Sequence, residues 1–543
     1  MRPQTFKKIW VFGAYLLAFA SLIATHVFRT FSIAEALAIA AFLTGIASWK
    51  LAHAADRWIV AGALLGLAGP LLKGLFIVLG IGADEHDITT HEITPGHPLL
   101  VHIHHLFFNL GFFCYLVSAV QIAGITLREF IATAVLAQPV VLSPEGQKAG
   151  APDVAINAKG QLAILWVDRS PQDNASAGHD HNHDRHLSTA DLYVAISPDG
   201  GKTFNAPVKV NSAEGVVWGQ QLSRPRIVGT SNGTWHVSYA ANDIHPTLKK
   251  TLLTTHYTRS VDGGNSFEKP QRLSGITDQD MSEVIHGGFA SAAAFGTMTA
   301  APDGGVHVYW VDTRHMKPAS DSGALYGTSS RDDGKTFASE KQLIDTGVCP
   351  CCQLTAITTE NSDVLIGSRR VEKDSFRPAT VMKLSNISGA ASERRSIGGA
   401  PWQIGGCPLK PTVIAMHGRK VFAAVHNGGE TTPGVIFSVS NDAGNSFEFR
   451  GIVHTAASVS DAPTVAVNDE KVLLAWHAKV GNAPRRVFYR FYSLSGKPIG
   501  DITELGSAAG VSQYPIVTVK KDGNFQIVWQ QADKVWTTEI AGK

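Results

Sequence analysis

Ser197-Pro-Asp-Gly-Gly-Lys-Thr-Phe204 recurs three times with small changes: Ser260-Val-Asp-Gly-Gly-Asn-Ser-Phe267, Ser330-Arg-Asp-Asp-Gly-Lys-Thr-Phe337 and Ser440-Asn-Asp-Ala-Gly-Asn-Ser-Phe447. Self-similarity at spacings of tens of residues marks a repeat architecture. Each copy reads as a tight hairpin turn. The Asp side chain bonds its own turn backbone, Gly supplies a positive φ, and Phe anchors the turn in a core.

Outward from these turns, residues 138–543 alternate short β-rich runs with Gly, Pro, Asn and Asp, the pattern of an all-β fold. The first repeat unit reads as strands Asp153–Asn157, Gln161–Val167 and Ala190–Ile196, the turn, then Ala206–Val210. Further units start near Arg224, Thr297, Gln353, Pro411, Ala462 and Tyr514. The last has three strands, Ile516–Val519, Phe525–Gln531 and Lys534–Ile540, and Pro139–Leu142 is the spare strand that supplies its fourth. Such pairing removes an exposed sheet edge.

The octapeptides resemble the Asp-box (BNR) repeat of the sialidase-like β-propellers. The resemblance implies a propeller, and the unit count gives seven blades where sialidases have six. All four boxes fall between the third and fourth strands, so Asp199, Asp262, Asp332 and Asp442 read as structural. The opposite face carries the ends of the second strands, which are polar almost every time. They hold Asp168 and Arg169, Asn242 and Asp243, Asp312 and Arg314, Arg369 and Arg370, His426 and Asn427, His477, and Gln530 and Gln531. Loops are polar in general, but Trp166-Val-Asp-Arg169 and Trp310-Val-Asp-Thr-Arg314 repeat the placement. Asp243, His426 and His477 are candidate ligand-binding residues on this face. A ring of Asp and Arg suits a carboxylated or polyol ligand, because Arg donates forked hydrogen bonds.

The chain of 543 residues is long enough for more than one domain, and 47 Lys+Arg against 45 Asp+Glu give no nucleic-acid signature. Charge is sparse before residue 128. Four apolar stretches, about Ile9–Phe28, Ile33–Trp49, Trp58–Ile81 and Val101–Leu127, approach the roughly 20 residues that span a bilayer. The expectation is a transmembrane α-helical domain over 1–130 followed by a propeller over 138–543, with the lipid bilayer as a partner. Arg2, Lys7 and Lys8 place the N-terminus inside, whereas Ile131–Ala137 has an export-type small-x-small finish. The expected location is a bacterial inner membrane, multi-pass, with the propeller periplasmic or extracellular.

Five cysteines occur. Cys114 lies in an apolar stretch and reads as packing. Cys349, Cys351 and Cys352 precede the fourth unit and Cys407 the fifth, so topology brings them to one face. Three readings stand: disulfides, a thiolate site for copper or zinc, or a Cys349/Cys352 redox pair. His179, His181, His183 and His186 interleave with Asp180 and Asp184 in a loop that reads as a metal scavenger or a solvated loop. His86, His91, His97, His102, His104 and His105 cluster at the last apolar stretch, as metal or haem ligands or as an interfacial group.

Three functions follow. The first is a membrane-anchored module that binds a small molecule, glycan or metal on the face opposite its Asp boxes. The second, implied by the resemblance, is a sialidase-like exo-glycosidase, with Arg169, Arg314 and Arg369 or Arg370 as carboxylate clamp and Asp168 or Asp312 as acid. The family's Phe/Tyr-Arg-Ile-Pro motif is absent; Ser223-Arg-Pro-Arg-Ile227 is a poor substitute. The third is a protein-interaction platform.

Overall fold

The computed structural model describes residues 139–169, 189–245, 247–275, 291–317, 322–385, 391–505 and 510–542. The chain divides at Leu136/Ala137, and all the described residues fall in the second part. They form strands throughout, with no α-helix among them.

After β1 (Val140–Val141) the strands fall into seven antiparallel units. Unit I comprises β2 (Ala149–Ile156), β3 (Leu162–Asp168), β4 (Thr189–Ser197) and β5 (Val208–Lys209). After β6 (Val217–Trp218), unit II comprises β7 (Arg226–Gly229), β8 (Trp235–Ile244), β9 (Thr251–Ser260) and β10 (Gln271–Arg272). Unit III comprises β11 (Ser291–Ala300), β12 (Val306–Asp312), β13 (Gly323–Ser330) and β14 (Lys341–Val348). Unit IV comprises β15 (Thr355–Thr358), β16 (Val364–Arg369), β17 (Ala379–Leu384) and β18 (Arg395–Ser396). Unit V comprises β19 (Val413–His417), β20 (Lys420–Asn427), β21 (Gly434–Ser440) and β22 (Glu448–Ile452). Unit VI comprises β23 (Val459–Val467), β24 (Lys471–Lys479), β25 (Arg486–Ser493) and β26 (Pro498–Leu505). Unit VII comprises β27 (Ser512–Val519), β28 (Phe525–Gln531) and β29 (Lys534–Ile540), and β1 is its fourth strand, with Val140 opposite Thr537.

Two expectations are corrected here. The propeller of seven or six discrete blades is not what the backbone pairs form. Units I to III are knitted into one 13-stranded sheet, and the other four units are separate four-stranded sheets. The knitting has a local cause. Val217 and Trp218, in the crossing between units I and II, are buried and lie down as a strand between β4 and β8. Ser291 and Ala292 then pair in parallel with Leu252 and Leu253. The all-α transmembrane domain is the second correction. No helix among the described residues is long and apolar enough to cross a membrane. The structure therefore gives no support to the multi-pass, inner-membrane, periplasm-facing assignment. The four apolar stretches, Cys114, the first histidine cluster and the 131–137 finish lie outside the described residues.

The Asp boxes show why the repeat exists. In each, the Ser hydroxyl accepts the N–H of the Gly four residues on and donates to the Asp. That carboxylate then accepts the backbone N–H and the hydroxyl of the Thr or Ser before Phe. These four bonds span 2.6–3.0 Å in all four boxes. The Ser446 and Ser440 hydroxyls hold the Asp442 carboxyl down to about 2. The backbone N–H and hydroxyl of Thr203 hold Asp199 lower still. Every donor on these carboxylates is committed within the turn, which is the structural role expected of them.

Each box Phe packs between its own unit and the one before it. Phe204 joins the core of units VII and I, Phe267 that of I and II, Phe337 that of II and III, and Phe447 that of IV and V. Pairing register sets the two ends apart. Ser197 opposes Leu162, while Asp168, at the far end of β3, opposes Asp191. The same holds for Ser330 with Val306 and Ser440 with Val421.

Two outcomes test this account. Gly263 has φ +77° and open space around a Cβ, so Gly263→Ala costs about 1–2 kcal/mol of left-handed strain. Gly264 has φ +94°, and its Cβ would lie 2.4 Å from Ile196, so Gly264→Ala lowers the melting temperature further. Separately, His307 is buried with neither ring nitrogen partnered among the described residues, and burial pushes its pKa down to about 4. Its folded pKa lies below the unfolded value, so its share of stability is complete above about 6.5 and is lost as pH falls towards 4. Thermal melts of His307→Leu should show a smaller drop over that window than the parent.

Candidate functional site

The first strands of the units carry a shared irregularity at the end away from the Asp boxes. Ala151, Phe295, Leu409, Ala462 and Tyr514 all have positive φ, between 46° and 57°. Register shifts accompany them in β2, β11, β23 and β27. A proline directly follows the positive-φ residue in β2, β23 and β27 (Pro152, Pro463 and Pro515), and Leu409, ahead of β19, lies between Pro408 and Pro411. Proline has no N–H to give the ladder, so it belongs at bulges. Bulges re-aim side chains, and strained φ values cluster at functional sites. Here the bends bring distant units into contact. Gln353 Nε2 donates to Arg224 O at 2.7 Å and Gly296 O at 3.1 Å.

Around Gly150, next to the first bend, three side chains converge. A Cβ there would lie 2.7 Å from Arg169 Nη1, 2.8 Å from Gln530 Oε1 and 2.9 Å from Gln221 Oε1. Arg169 donates to Gly219 O at 2.6 Å and Gln221 Oε1 at 2.7 Å, fixing the β6 crossing. Gln221 Nε2 and Gln530 Oε1 are buried and have no hydrogen-bond partner among the described residues. Arg224 Nε and both amide atoms of Asn242 are in the same state. Burial and the neighbouring Arg226 lower the Arg224 pKa to about 10. An unmade buried hydrogen bond costs about 1–3 kcal/mol, so such a group points to a ligand or water.

Asp461 anchors a second group. It pairs with Lys410, and its Oδ1 lies 3.9 Å from His426 Nδ1 and its Oδ2 4.0 Å from His477 Nε2. Burial alone would raise its pKa; Lys410 and the two histidines outweigh it and lower the value. His477 Nδ1 accepts the Tyr514 N–H at 3.1 Å, so its proton sits on Nε2, towards Asp461. Burial pushes its pKa down to about 3. His426 Nδ1 donates to Ser460 O at 2.7 Å, which leaves Nε2 as a lone-pair acceptor. The Tyr514 ring packs edge-on against His477 at 5.0 Å, and burial raises its pKa.

The cysteines lie beside Lys410. Cys351 and Cys407 are joined in a disulfide, and Cys349 and Cys352 are free, buried thiols with their sulfurs 3.2 Å apart. The sulfurs of Cys349, Cys351 and Cys352 lie within 4.8 Å of one another. Burial would push the Cys352 thiol up. The Cys349 S–H, the Arg369 guanidinium and the Lys410 and Leu409 N–H groups outweigh it and bring it down to about 7. The hydrogen bond to Cys352 and burial push Cys349 up.

The sequence-derived candidates separate into two sets. Arg169, His426 and His477 enter the groups above. Arg314 is instead bound by Asp312 and Glu340, with Nη2 to Asp312 Oδ2 at 2.7 Å and Nη1 to Glu340 Oε1 at 2.7 Å. It borders a cavity of about 200 Å³, but its charge there is already matched. Arg369 is buried and donates to the carbonyls of Lys410, Arg377 and His426. Arg370 pairs with Glu372 at 3.2 Å. Asp168 accepts the Lys148 N–H at 3.0 Å, and burial raises its pKa. Asp243 is held by Thr254 at 2.5 Å and His256 at 3.2 Å. Arg314, Arg369 and Arg370 are thus each engaged by partners of their own. His179, His181, His183 and His186 lie outside the described residues. Lys410, Asp461, Gln221, Gln353, Arg224 and Tyr514 were not singled out by sequence. The repeated proline at the unit starts, as in Arg224-Pro, Lys410-Pro, Ala462-Pro and Tyr514-Pro, was the available signal.

No family model and no curated protein matches the chain. Among solved structures, it is similar to a protein of unknown function from Dyadobacter fermentans, at 14% identity and TM-score 0.45, covering 75% of this chain and 99% of that one. It is also similar to a Hadza microbial sialidase, at 14% identity and TM-score 0.41, covering 65% and 73%. An ulvan lyase of a polysaccharide lyase family matches at 10% identity and TM-score 0.46, covering 75% and 96%.

Peptide mapping without reduction should find Cys351 joined to Cys407, with Cys349 and Cys352 both open to alkylation after denaturation. A Cys349–Cys352 link in the freshly isolated chain would contradict this arrangement.

Proposed function

We propose that the β-rich part binds a small hydroxylated organic anion where the bent first strands converge. The observation that carries this reading is the cradle at Gly150. Arg169 brings a guanidinium suited to a carboxylate. Gln221 Nε2 offers an unused donor and Gln530 Oε1 an unused acceptor, the pair that one hydroxyl group satisfies. Glycine, with no Cβ, lets Arg169, Gln221 and Gln530 close together on the backbone around these unused atoms. Arg224 and Arg226 add positive charge nearby, with Asp153 3.4 Å from Arg226 as the local counter-charge.

A sialidase-like glycosidase acting on a carboxylated sugar is the second reading. Tyr514, whose ring meets His477 edge-on at 5.0 Å in the Asp461 group, favours it as a phenol that could react. Against it, the arginines expected to complete a clamp are engaged elsewhere.

Calorimetric titration of the full chain with N-acetylneuraminate, D-glucuronate and neutral galactose separates the outcomes. At least one acid should bind saturably and galactose should not. Gly150→Ala, whose methyl would push Arg169, Gln221 and Gln530 apart, should weaken that binding roughly tenfold or more, about 1.4 kcal/mol. Equal binding of galactose, or an unchanged affinity in Gly150→Ala, overturns the proposal. Turnover of a fluorogenic sialoside that Arg169→Ala abolishes favours the second reading.

A further inference from the structure

We infer that Cys349 and Cys352 form a dithiolate site for a soft monovalent metal ion of the Cu(I) type, separate from the cradle at Gly150. Both thiols are free, at most 1% exposed, and 3.2 Å apart. That spacing lets one ion bridge them after a small opening of the pair. The neighbouring Cys351–Cys407 bridge ties the cysteine loop to the crossing that carries Leu409 and Lys410, whose N–H groups both point at Cys352. The Cys349 N–H is itself bonded to Arg369 O at 2.9 Å. The pocket is therefore fixed on both sides by covalent and backbone bonds rather than by flexible side chains.

Charge selects the ion. Arg369 and Arg377 are buried beside the two sulfurs, at 1% and 0% exposure. Arg369 makes no carboxylate ion pair among the described residues, and the thiols are its leading electrostatic partners. A buried guanidinium needs an anionic neighbour. Two thiolates with a monovalent ion keep one net negative charge facing these guanidiniums. Two thiolates with a divalent ion are neutral and offer them none. Ligand number points the same way. Structural zinc takes four ligands, whereas the metal-capable group among the described residues is these cysteines alone, with one of its three sulfurs already in a disulfide. Thiolates are the ligands that soft Cu(I) prefers.

The test uses the full chain without oxygen, with ascorbate to hold copper as Cu(I) while sparing the disulfide. Copper is titrated against a chromophoric Cu(I) chelator. One equivalent per chain should resist the chelator and raise the melting temperature. Cys349→Ser and Cys352→Ser should each lose that equivalent. Replacing His179, His181, His183 and His186 together by Ala should leave it in place. Persistence of the equivalent in the double Ser variant, or its displacement by stoichiometric Zn(II), overturns the assignment. Should the Ser variants not fold, Cu(I) should protect Cys349 and Cys352 from alkylation in the wild-type chain, read by mass spectrometry. Absence of that protection overturns it equally.

Discussion

A serine hydroxyl at the end of a third strand, bonded at once to a glycine N–H and an aspartate, holds each of the four boxed turns closed. Everything else in the β-rich part leans on that small knot. It fixes the direction of the following Phe, which sits between one unit and the preceding one. A single four-stranded sheet has two apolar faces and cannot cover both. The knot therefore converts a local hydrogen-bond pattern into packing between units, and it acts at the end of the sheets remote from the bent first strands.

The two ends have opposite character for that reason. At the boxed end each box aspartate has its carboxylate satisfied within its own turn. The first strands bend at the other end, where non-glycine residues hold positive φ and polar atoms are left without partners. Strain and orphaned groups are tolerated there because the boxed ends and inter-unit cores over-determine the strands. Three chemically distinct neighbourhoods result: the Gly150 cradle, the Asp461 group and the thiol pair. Lys410 joins two of them, with its side chain on Asp461 and its N–H towards Cys352.

Much of the strand order was legible in sequence, because turn chemistry and alternation are local signals. Phe525–Gln531 and Lys534–Ile540 appear with the boundaries expected. The merging of three units into one sheet was not legible, since it depends on Val217 and Trp218, a two-residue strand with no pattern of its own, and on a two-residue parallel pairing of Ser291 and Ala292 with Leu252 and Leu253. The candidate site was legible by half. Polar ends of second strands drew attention to Arg169, His426 and His477. Arg314 looked equivalent to Arg169 because Glu340, 26 residues on, gives no local hint that it will neutralise Arg314. Asp461 and Lys410 meet across 51 residues, and Gln353 reaches Arg224 across 129. Contacts of that separation follow from the packing of units, which no window of sequence contains.

The pairing of Val140 with Thr537 has a consequence for synthesis. The Ser143 hydroxyl accepts the Val535 N–H across 392 residues. Among the described residues, the first strand made, β1, has no partner until the last one is made. It must wait, unpaired, while six units assemble behind it. By a flexible-chain estimate, closing so long a loop costs about 5 kcal/mol of chain entropy. Until that closure β29 presents an open edge, the kind of surface that recruits a neighbouring molecule's strand. The short segment Pro139–Glu145 thus acts as a latch on assembly, and losing it would expose newly made chains to aggregation while leaving the middle units free to form.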